Sequence, residues 1–306
     1  MKILFAGTPK SSAAILGYLL SNDTYDIVGV ITQTDKPGKR GNKIISSPVS
    51  NIAFNNNINI FKPKSLNETL FRETINGIDI DIILVVAYGK IIPEWLLKSA
   101  KIMAINIHFS LLPKYRGASP IQSAILNGED KTGVSFIEMN NKMDEGNILQ
   151  KNDINIEKGD NKKDLEDKLT DLSINNIDSL LLDIVKKKNK LEIQNDLDVS
   201  YCTKILKSDG ITDFNDNASR IYNKYKAYIE WPGLSFLHKD ILIKIHELRV
   251  TEHKSLNRPG SIHKIDKSGI YINTIDNMIV ITHLQFPNKK IISGLDVFNS
   301  YKKFFE

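Results

Sequence analysis

The sequence predicts an α/β protein with a doubly wound, mainly parallel sheet, followed by a small β-barrel of the OB type. Two observations carry this prediction. The first half of the chain alternates apolar strand-like runs with apolar residues at helical spacing, a rhythm that is typical of parallel sheets. The last third changes to short runs of alternating apolar and polar residues separated by turns, which is typical of antiparallel barrels.

The elements of the first part follow from these local patterns. Continuous apolar runs predict buried strands at residues 2–6, 27–31, 80–87 and 102–107. Apolar residues at helical spacing predict helices at residues 12–20, 47–55, 66–75, 92–97 and 161–187. Two further strands, at residues 133–139 and 148–156, look like an antiparallel extension of the sheet with the loop 140–146 between them.

A polar, lysine-rich stretch at residues 186–197 separates the two parts. We therefore predict a catalytic domain at 1–188, a linker at 189–205 and the barrel domain at 206–306. Within the barrel domain we expect a helix at residues 218–228 and strands at residues 241–246, 269–275 and 278–284.

Composition limits the classes of protein that this chain can belong to. Of its 306 residues, 41% are hydrophobic and 25% charged, which predicts a soluble protein with a substantial core. The chain has no apolar run of 18 residues, and residues 1–7 predict a buried strand rather than a signal peptide, so no membrane contact is expected. Cys202 is the only cysteine, which fits the cytoplasm, and the absence of a Cys/His metal spacing predicts no metal.

The positive charge of the chain lies in its last third. Residues 204–306 contain 16 Lys and Arg against 11 Asp and Glu, an excess of five that equals the net charge of the whole chain. One interpretation is a solvated lysine surface. The other is a surface that binds a polyanion such as RNA.

Three polar residues predict a catalytic site. Asn106 and His108 point to one face of a strand, because side chains alternate along strands, and they lie at its carboxyl edge. Asp144 follows one hairpin later. An amide donor, an imidazole and a carboxylate suit the attack of an amine on a carbonyl-like carbon. The alternative is a set of solvated polar residues at a strand end. Ser110 and Ser119 lack the context of a nucleophile elbow.

The loop at residues 32–50 is long, contains Gly and Pro, and carries several cations, namely Lys36, Lys39, Arg40 and Lys43. Basic loops of this kind often order on nucleic acid. A solvated insertion explains the composition equally well.

Several short motifs, taken in their order and spacing, identify a resemblance that covers nearly the whole chain. They are Phe5-Ala6-Gly7-Thr8-Pro9, residues 35–41, 47–49 and 85–93, Asn106-Ile107-His108, Ser110-Leu111-Leu112-Pro113, residues 116–122, Met143-Asp144-Glu145-Gly146, Trp231-Pro232, Pro259-Gly260 and Leu284-Gln285. In these residues the chain resembles the folate-dependent formyltransferases, and it is identified as a member of that family.

The resemblance implies transfer of a formyl group from the co-substrate 10-formyltetrahydrofolate to the α-amino group of methionine on initiator tRNA, for translation initiation. By position, Asn106 would bind the developing oxyanion and His108 would stabilise that charge and help proton transfer. Asp144 would orient His108 and an ordered water.

The same resemblance implies the binding residues and the partners. The folate would contact Ser110, Leu111, Leu112, Pro113, Tyr88 and Gly89. The tRNA acceptor end would contact Lys39, Arg40 and Lys43, with the last domain holding the acceptor arm. The expected partners are therefore folate and initiator methionyl-tRNA, with no metal, and the protein is expected to be a cytoplasmic monomer.

Three other functions compete with this one. A folate formyltransferase acting on a small amine, such as a ribonucleotide or an amino-sugar, would share the same three catalytic residues. A non-catalytic RNA-binding protein would not need them. A nicotinamide-dependent dehydrogenase is disfavoured, because no G-x-G-x-x-G follows the first strand.

Overall fold

The computed structural model describes residues 1–38 and 44–306. Within this part of the chain, no helix is both long and apolar enough to cross a membrane. The chain packs as two compact units. The first comprises Met1–Pro120, Lys131–Asn155 and Glu166–Thr203, and the second comprises Ile121–Asp130, Ile156–Leu165 and Lys204–Glu306. The division at residues 188 and 205 stays a prediction.

The elements up to the end of the first unit are short strands with helices between them. The strands are β1 (Lys2–Gly7), β2 (Asp26–Ile31), β3 (Lys36–Pro37), β4 (Ile44–Ile45), β5 (Ile60–Phe61), β6 (Ile82–Val86), β7 (Met103–His108), β8 (Arg116–Gly117), β9 (Lys131–Glu138), β10 (Ile148–Asn155) and β11 (Tyr201–Cys202). The helices are α1 (Lys10–Leu20), α2 (Pro48–Asn55), α3 (Thr69–Asn76), α4 (Glu94–Leu97), α5 (Pro120–Leu126) and α6 (Lys162–Val185).

Seven of these strands form one sheet in the order β10-β9-β7-β6-β1-β2-β5. The strands from β7 to β5 are parallel, whereas β9 runs antiparallel to both of its neighbours, β7 and β10. This confirms the predicted doubly wound, mainly parallel sheet. The strand order reverses direction between β1 and β6, and ligands of such sheets bind in the crevice at the carboxyl ends beside this point.

Two predicted helices begin later than expected. The helix expected at residues 66–75 begins at Thr69, and the one expected at 92–97 begins at Glu94. Pro93 takes the N-cap position of α4 with extended backbone angles. Because a residue before proline is disfavoured in helical conformation, residue 92 lies outside this helix.

The second unit is built around an antiparallel sheet. Its elements after Lys204 are α7 (Ala218–Ala227), β12 (Leu234–His238), β13 (Ile241–Lys254), β14 (Ile262–Asp266), β15 (Gly269–Ile272), β16 (Asn277–Gln285), β17 (Ile291–Ser293), α8 (Gly294–Ser300) and α9 (Lys302–Phe305). The sheet order is β12-β13-β16-β15-β14, with β17 beside β16. The long strand β13 pairs with both β12 and β16, and its register with β16 is interrupted by bulges or irregularities. The predicted change to an antiparallel β-domain is confirmed.

The stretch predicted as a linker packs on the first unit. Glu192 forms an antiparallel bridge with Ile148, and β11 pairs in parallel with β8. The polar composition of residues 189–205 gave no sign of this pairing.

Candidate active site

Strand β7 carries two of the predicted catalytic residues to the carboxyl edge of the sheet. His108 is the last residue of β7, and Asn106 lies two positions earlier, so both side chains share one face. His108 is 5% exposed, because β6 and β9 flank the strand. Asp144 lies on the turn between β9 and β10 and has a left-handed backbone, with φ at +54°.

The structure brings the three predicted residues together. The amide Nδ2 of Asn106 donates to Oδ1 of Asp144 over 3.1 Å. The other carboxylate oxygen, Oδ2, accepts from the backbone N–H of Gly117 over 2.9 Å and lies 3.6 Å from Nδ1 of His108. One carboxylate therefore contacts the amide donor and faces the imidazole at the same time.

The second ring nitrogen of His108 has a defined role. Its Nε2 lies 2.9 Å from the backbone oxygen of Tyr115. A carbonyl oxygen can only accept, so Nε2 is the donor in this bond. Nδ1, the other ring nitrogen, faces Asp144.

The turn at residues 110–113 is fixed by buried hydroxyl groups. Ser110 donates from Oγ to the backbone oxygen of Lys114, and Ser135 of β9 donates from Oγ to the backbone oxygen of Ser110. The same Ser135 hydroxyl accepts from the N–H of Leu112 over 3.0 Å. The hydroxyl of Ser110 is thus engaged inside the protein, while Leu111 and Pro113 are partly exposed.

Tyr88 and Gly89 lie at the end of β6, beside the point where the strand order reverses. The side chain of Tyr88 is buried in the core, and this burial raises its pKa to about 12. Its backbone oxygen accepts from Thr8 Oγ1 and from Gln33 Nε2. A side chain at Gly89 would meet Gln33, and φ at this position is +83°. Any folate contact at these residues therefore involves backbone rather than the phenol of Tyr88.

The predicted tRNA-binding residues Lys39, Arg40 and Lys43 lie outside the described residues. The chain on either side of them forms the antiparallel pair β3–β4. Lys36, the first residue of β3, is exposed. Across residues 1–38 and 44–306, no group of three or more His, Cys, Asp and Glu side chains could hold a metal ion.

Sequence reasoning missed four residues that support the site. Arg116, Gln194, Ser200 and Cys202 contact the two loops that carry or face the catalytic residues. Cys202 donates from Sγ to the backbone oxygen of Tyr115, the same oxygen that His108 contacts. Only Arg116 had a sequence signal, as part of a quoted motif.

Comparison with known proteins identifies the family of the chain. A family model described as "Formyl transferase" matches residues 1–179, and "Formyl transferase, C-terminal domain" matches residues 204–302. The chain belongs to the formyl transferase family. The resemblance inferred from the motifs is thereby confirmed.

Relatives resemble the chain along nearly its whole length. A protein named methionyl-tRNA formyltransferase from Clostridioides difficile is 37% identical over 95% of this chain and 94% of its own. One of the same name from Buchnera aphidicola is 40% identical over 100% of this chain and 98% of its own.

Solved structures share the fold. The sugar 3N-formyl transferase WlaRD matches with a TM-score of 0.68 and 23% identity, covering 95% of this chain and 99% of that one. An N-formyltransferase from Helicobacter canadensis, solved with folinic acid and dTDP-3-aminofucose, matches with a TM-score of 0.69 and 23% identity, covering 94% and 100%. At this identity the likeness supports the fold alone.

Proposed function

We propose that this protein transfers the formyl group of 10-formyltetrahydrofolate to the α-amino group of methionine on initiator methionyl-tRNA. The observation that carries the proposal is the approach of Asp144 to both the amide of Asn106 and Nδ1 of His108 at the carboxyl edge of the sheet. The relatives that span the chain carry the name of this activity.

The reaction begins when the amine nitrogen attacks the formyl carbon, which forms a tetrahedral intermediate with an oxyanion. Asn106 uses one N–H on Asp144, so its second N–H remains for the oxyanion. The new C–N bond forms, the bond from the formyl carbon to N10 of the folate breaks, and the amine loses a proton that N10 gains.

His108 and Asp144 would assist the transfer of this proton from the amine to N10. Because Nε2 of His108 is held on the Tyr115 carbonyl, its Nδ1 is the atom that carries a proton toward or away from the reacting centre. The carboxylate of Asp144, held by Gly117, stabilises the imidazolium across 3.6 Å. An ordered water beside Asp144 would complete the path from the amine.

The folate would lie in the crevice between the end of β6 and the turn after β7. The exposed backbone at Gly89 and the partly exposed Leu111 and Pro113 offer hydrogen-bonding groups beside apolar surface. A pterin ring needs this combination, because it has polar edges and flat apolar faces. Leu112, Ser110 and Tyr88 are buried behind this surface and would shape it from within.

The tRNA would be bound by positive charge. A groove of about 330 Å³ in the second unit is lined by cationic, imidazole and apolar side chains, namely His253, Lys254, Leu256, His263, Lys264, Tyr271 and Met278. This groove and the five-charge excess after residue 203 suit a phosphate backbone. Lys39, Arg40 and Lys43 would add contacts at the acceptor end. We further propose that the enzyme works in the cytoplasm as a monomer.

The test measures transfer of labelled formyl from 10-formyltetrahydrofolate to initiator and to elongator methionyl-tRNA. We expect transfer to the initiator alone. Transfer to an amino-sugar nucleotide with none to either tRNA would replace the proposed acceptor with a small amine. Folate binding with no transfer to any amine would contradict the catalytic assignment.

A further inference from the structure

The turn that carries Asp144 is hydrogen-bonded by a residue from the stretch predicted as a linker. Gln194 is 7% exposed and donates from Nε2 to two backbone oxygens, those of Asp144 at 2.7 Å and Gly146 at 2.8 Å. Its Oε1 accepts from Nε of Arg116 over 2.9 Å. All three bonds engage one side-chain amide.

The orientation of this amide is determined by its partners. Backbone oxygens only accept, and the guanidinium of Arg116 only donates, so Gln194 must present its NH₂ group to the turn and its oxygen to the arginine. Arg116 is itself 3% exposed, and its other nitrogens lie 3.7 Å from Glu145 and 3.9 Å from Asp196. The buried guanidinium of Arg116 therefore holds the oxygen end of the Gln194 amide in place.

The backbone conformation of the turn at residues 144–146 is sterically restricted. Asp144 has a left-handed backbone, which is uncommon for a residue other than glycine. A Cβ at Gly146 would overlap the backbone oxygen of Glu138, so the turn lies tightly against the end of β9. The bonds from Gln194 hold the carbonyls on either side of residue 145, and they thereby set the direction of the Asp144 side chain.

We propose that Gln194 is a positioning residue for catalysis, which holds turn 144–146 so that the Asp144 carboxylate reaches Asn106, Gly117 and Nδ1 of His108. Gln194 touches no reacting atom. It acts through Asp144, and the inference rests on the proposed formyl transfer only where turnover is the readout.

The test uses the full-length protein with Gln194→Leu, which keeps much of the volume and removes the hydrogen bonds. We expect kcat for formylation of initiator methionyl-tRNA to fall about 10- to 100-fold, because a small displacement of a reacting group has effects of that order. KM for both substrates should stay within about threefold, since no substrate contact is lost. Gln194→Glu, which presents oxygens to the two carbonyls, should lower kcat in the same direction.

Gln150→Leu provides the matched control. Gln150 lies on β10 in the same unit, six residues after Asp144, and its Nε2 also donates to two side-chain oxygens, those of Asn152 and Asn176, rather than to the turn 144–146. We expect kcat of this variant to stay within about twofold of the parent. An equal loss of kcat in both Gln→Leu variants would overturn the proposal, because general destabilisation would then explain it.

A double-mutant cycle separates positioning from a general structural role. If Gln194 acts through Asp144, adding Gln194→Leu to Asp144→Asn should lower kcat by less than about twofold further. A further loss of about tenfold would overturn the proposal.

A second readout does not depend on activity. The amide proton resonance of Gly117, whose N–H donates to Asp144, should move in Gln194→Leu in the direction seen in Asp144→Asn and stay in place in Gln150→Leu. An unchanged Gly117 resonance in Gln194→Leu would overturn the proposal even if the wild-type protein formylates no tRNA, which would by itself refute only the proposed function.

Discussion

Replacing Asp144 with Asn is the sharpest test of the catalytic assignment. The two side chains have the same shape, so the turn can keep its backbone while the negative charge disappears. Asp144 and His108 are 14% and 6% exposed at their side chains, and their facing atoms are 3.6 Å apart. At that distance, with an effective dielectric constant of about 20, a full charge pair interacts by about 4 to 5 kcal/mol.

Part of this energy will be replaced by solvent and by the new amide, so we expect about 3 to 4 kcal/mol of lost transition-state stabilisation. That corresponds to a fall in kcat of about two to three decades. The asparagine also places an NH₂ group against the N–H of either Asn106 or Gly117, where each had an acceptor.

The assay is single-turnover formylation of initiator methionyl-tRNA, with folate binding measured in parallel. Asp153→Asn is the control, because Asp153 forms an exposed ion pair with Lys131 in the same unit and is expected to leave kcat unchanged. If Asp144→Asn kept kcat within about fivefold of the parent, the charge of Asp144 would have no part in the chemistry, and the reasoning from the 3.6 Å separation would be refuted.

Three further outcomes are expected. His108→Ala should lower kcat by about two decades or more while tRNA affinity changes little, as measured by turnover and by filter binding. Arg40→Ala should raise the KM for tRNA and reduce its salt dependence by about one charge, with folate binding unchanged; an unaltered KM would return this loop to a solvated insertion. Burial and the bond to Asp178 raise the pKa of Tyr25, so the stability it contributes is present below its unfolded pKa and is lost as pH rises above about 10. Tyr25→Phe should cost about 1 kcal/mol near neutral pH and flatten that alkaline loss, as followed by urea unfolding at several pH values.

The sheet and part of the site could be predicted because they depend on local sequence patterns. Strand periodicity sets the faces of β7, so the spacing of Asn106 and His108 was enough to place both at one edge. The approach of Asp144 could not be calculated from spacing, because it depends on a left-handed turn that many residues of other types avoid. The sequence indicated only that Asp144 follows one hairpin after His108, and the structure supplied its distances.

The residues that hold the turn gave no local signal. Gln194 lies 50 positions after Asp144 in the chain, inside a polar stretch whose composition is that of a linker. Side-chain contacts at such separation depend on the tertiary path of the chain, which periodicity does not describe. The burial of Arg116 could not be predicted either, because arginine is rarely buried without partners and two of its partners, Gln194 and Asp196, lie in this same stretch.

Both loops of the site depend on this stretch. Ser200 accepts from the N–H of Tyr115 through its hydroxyl and from the N–H of Arg116 through its backbone oxygen, on the loop that faces His108. Gln194 holds the other loop, which carries Asp144. A chain cut at residue 188 would keep Asn106, His108 and Asp144 but lose every one of these bonds. We therefore propose that the smallest unit able to hold the catalytic geometry extends to Thr203, where the first compact unit ends.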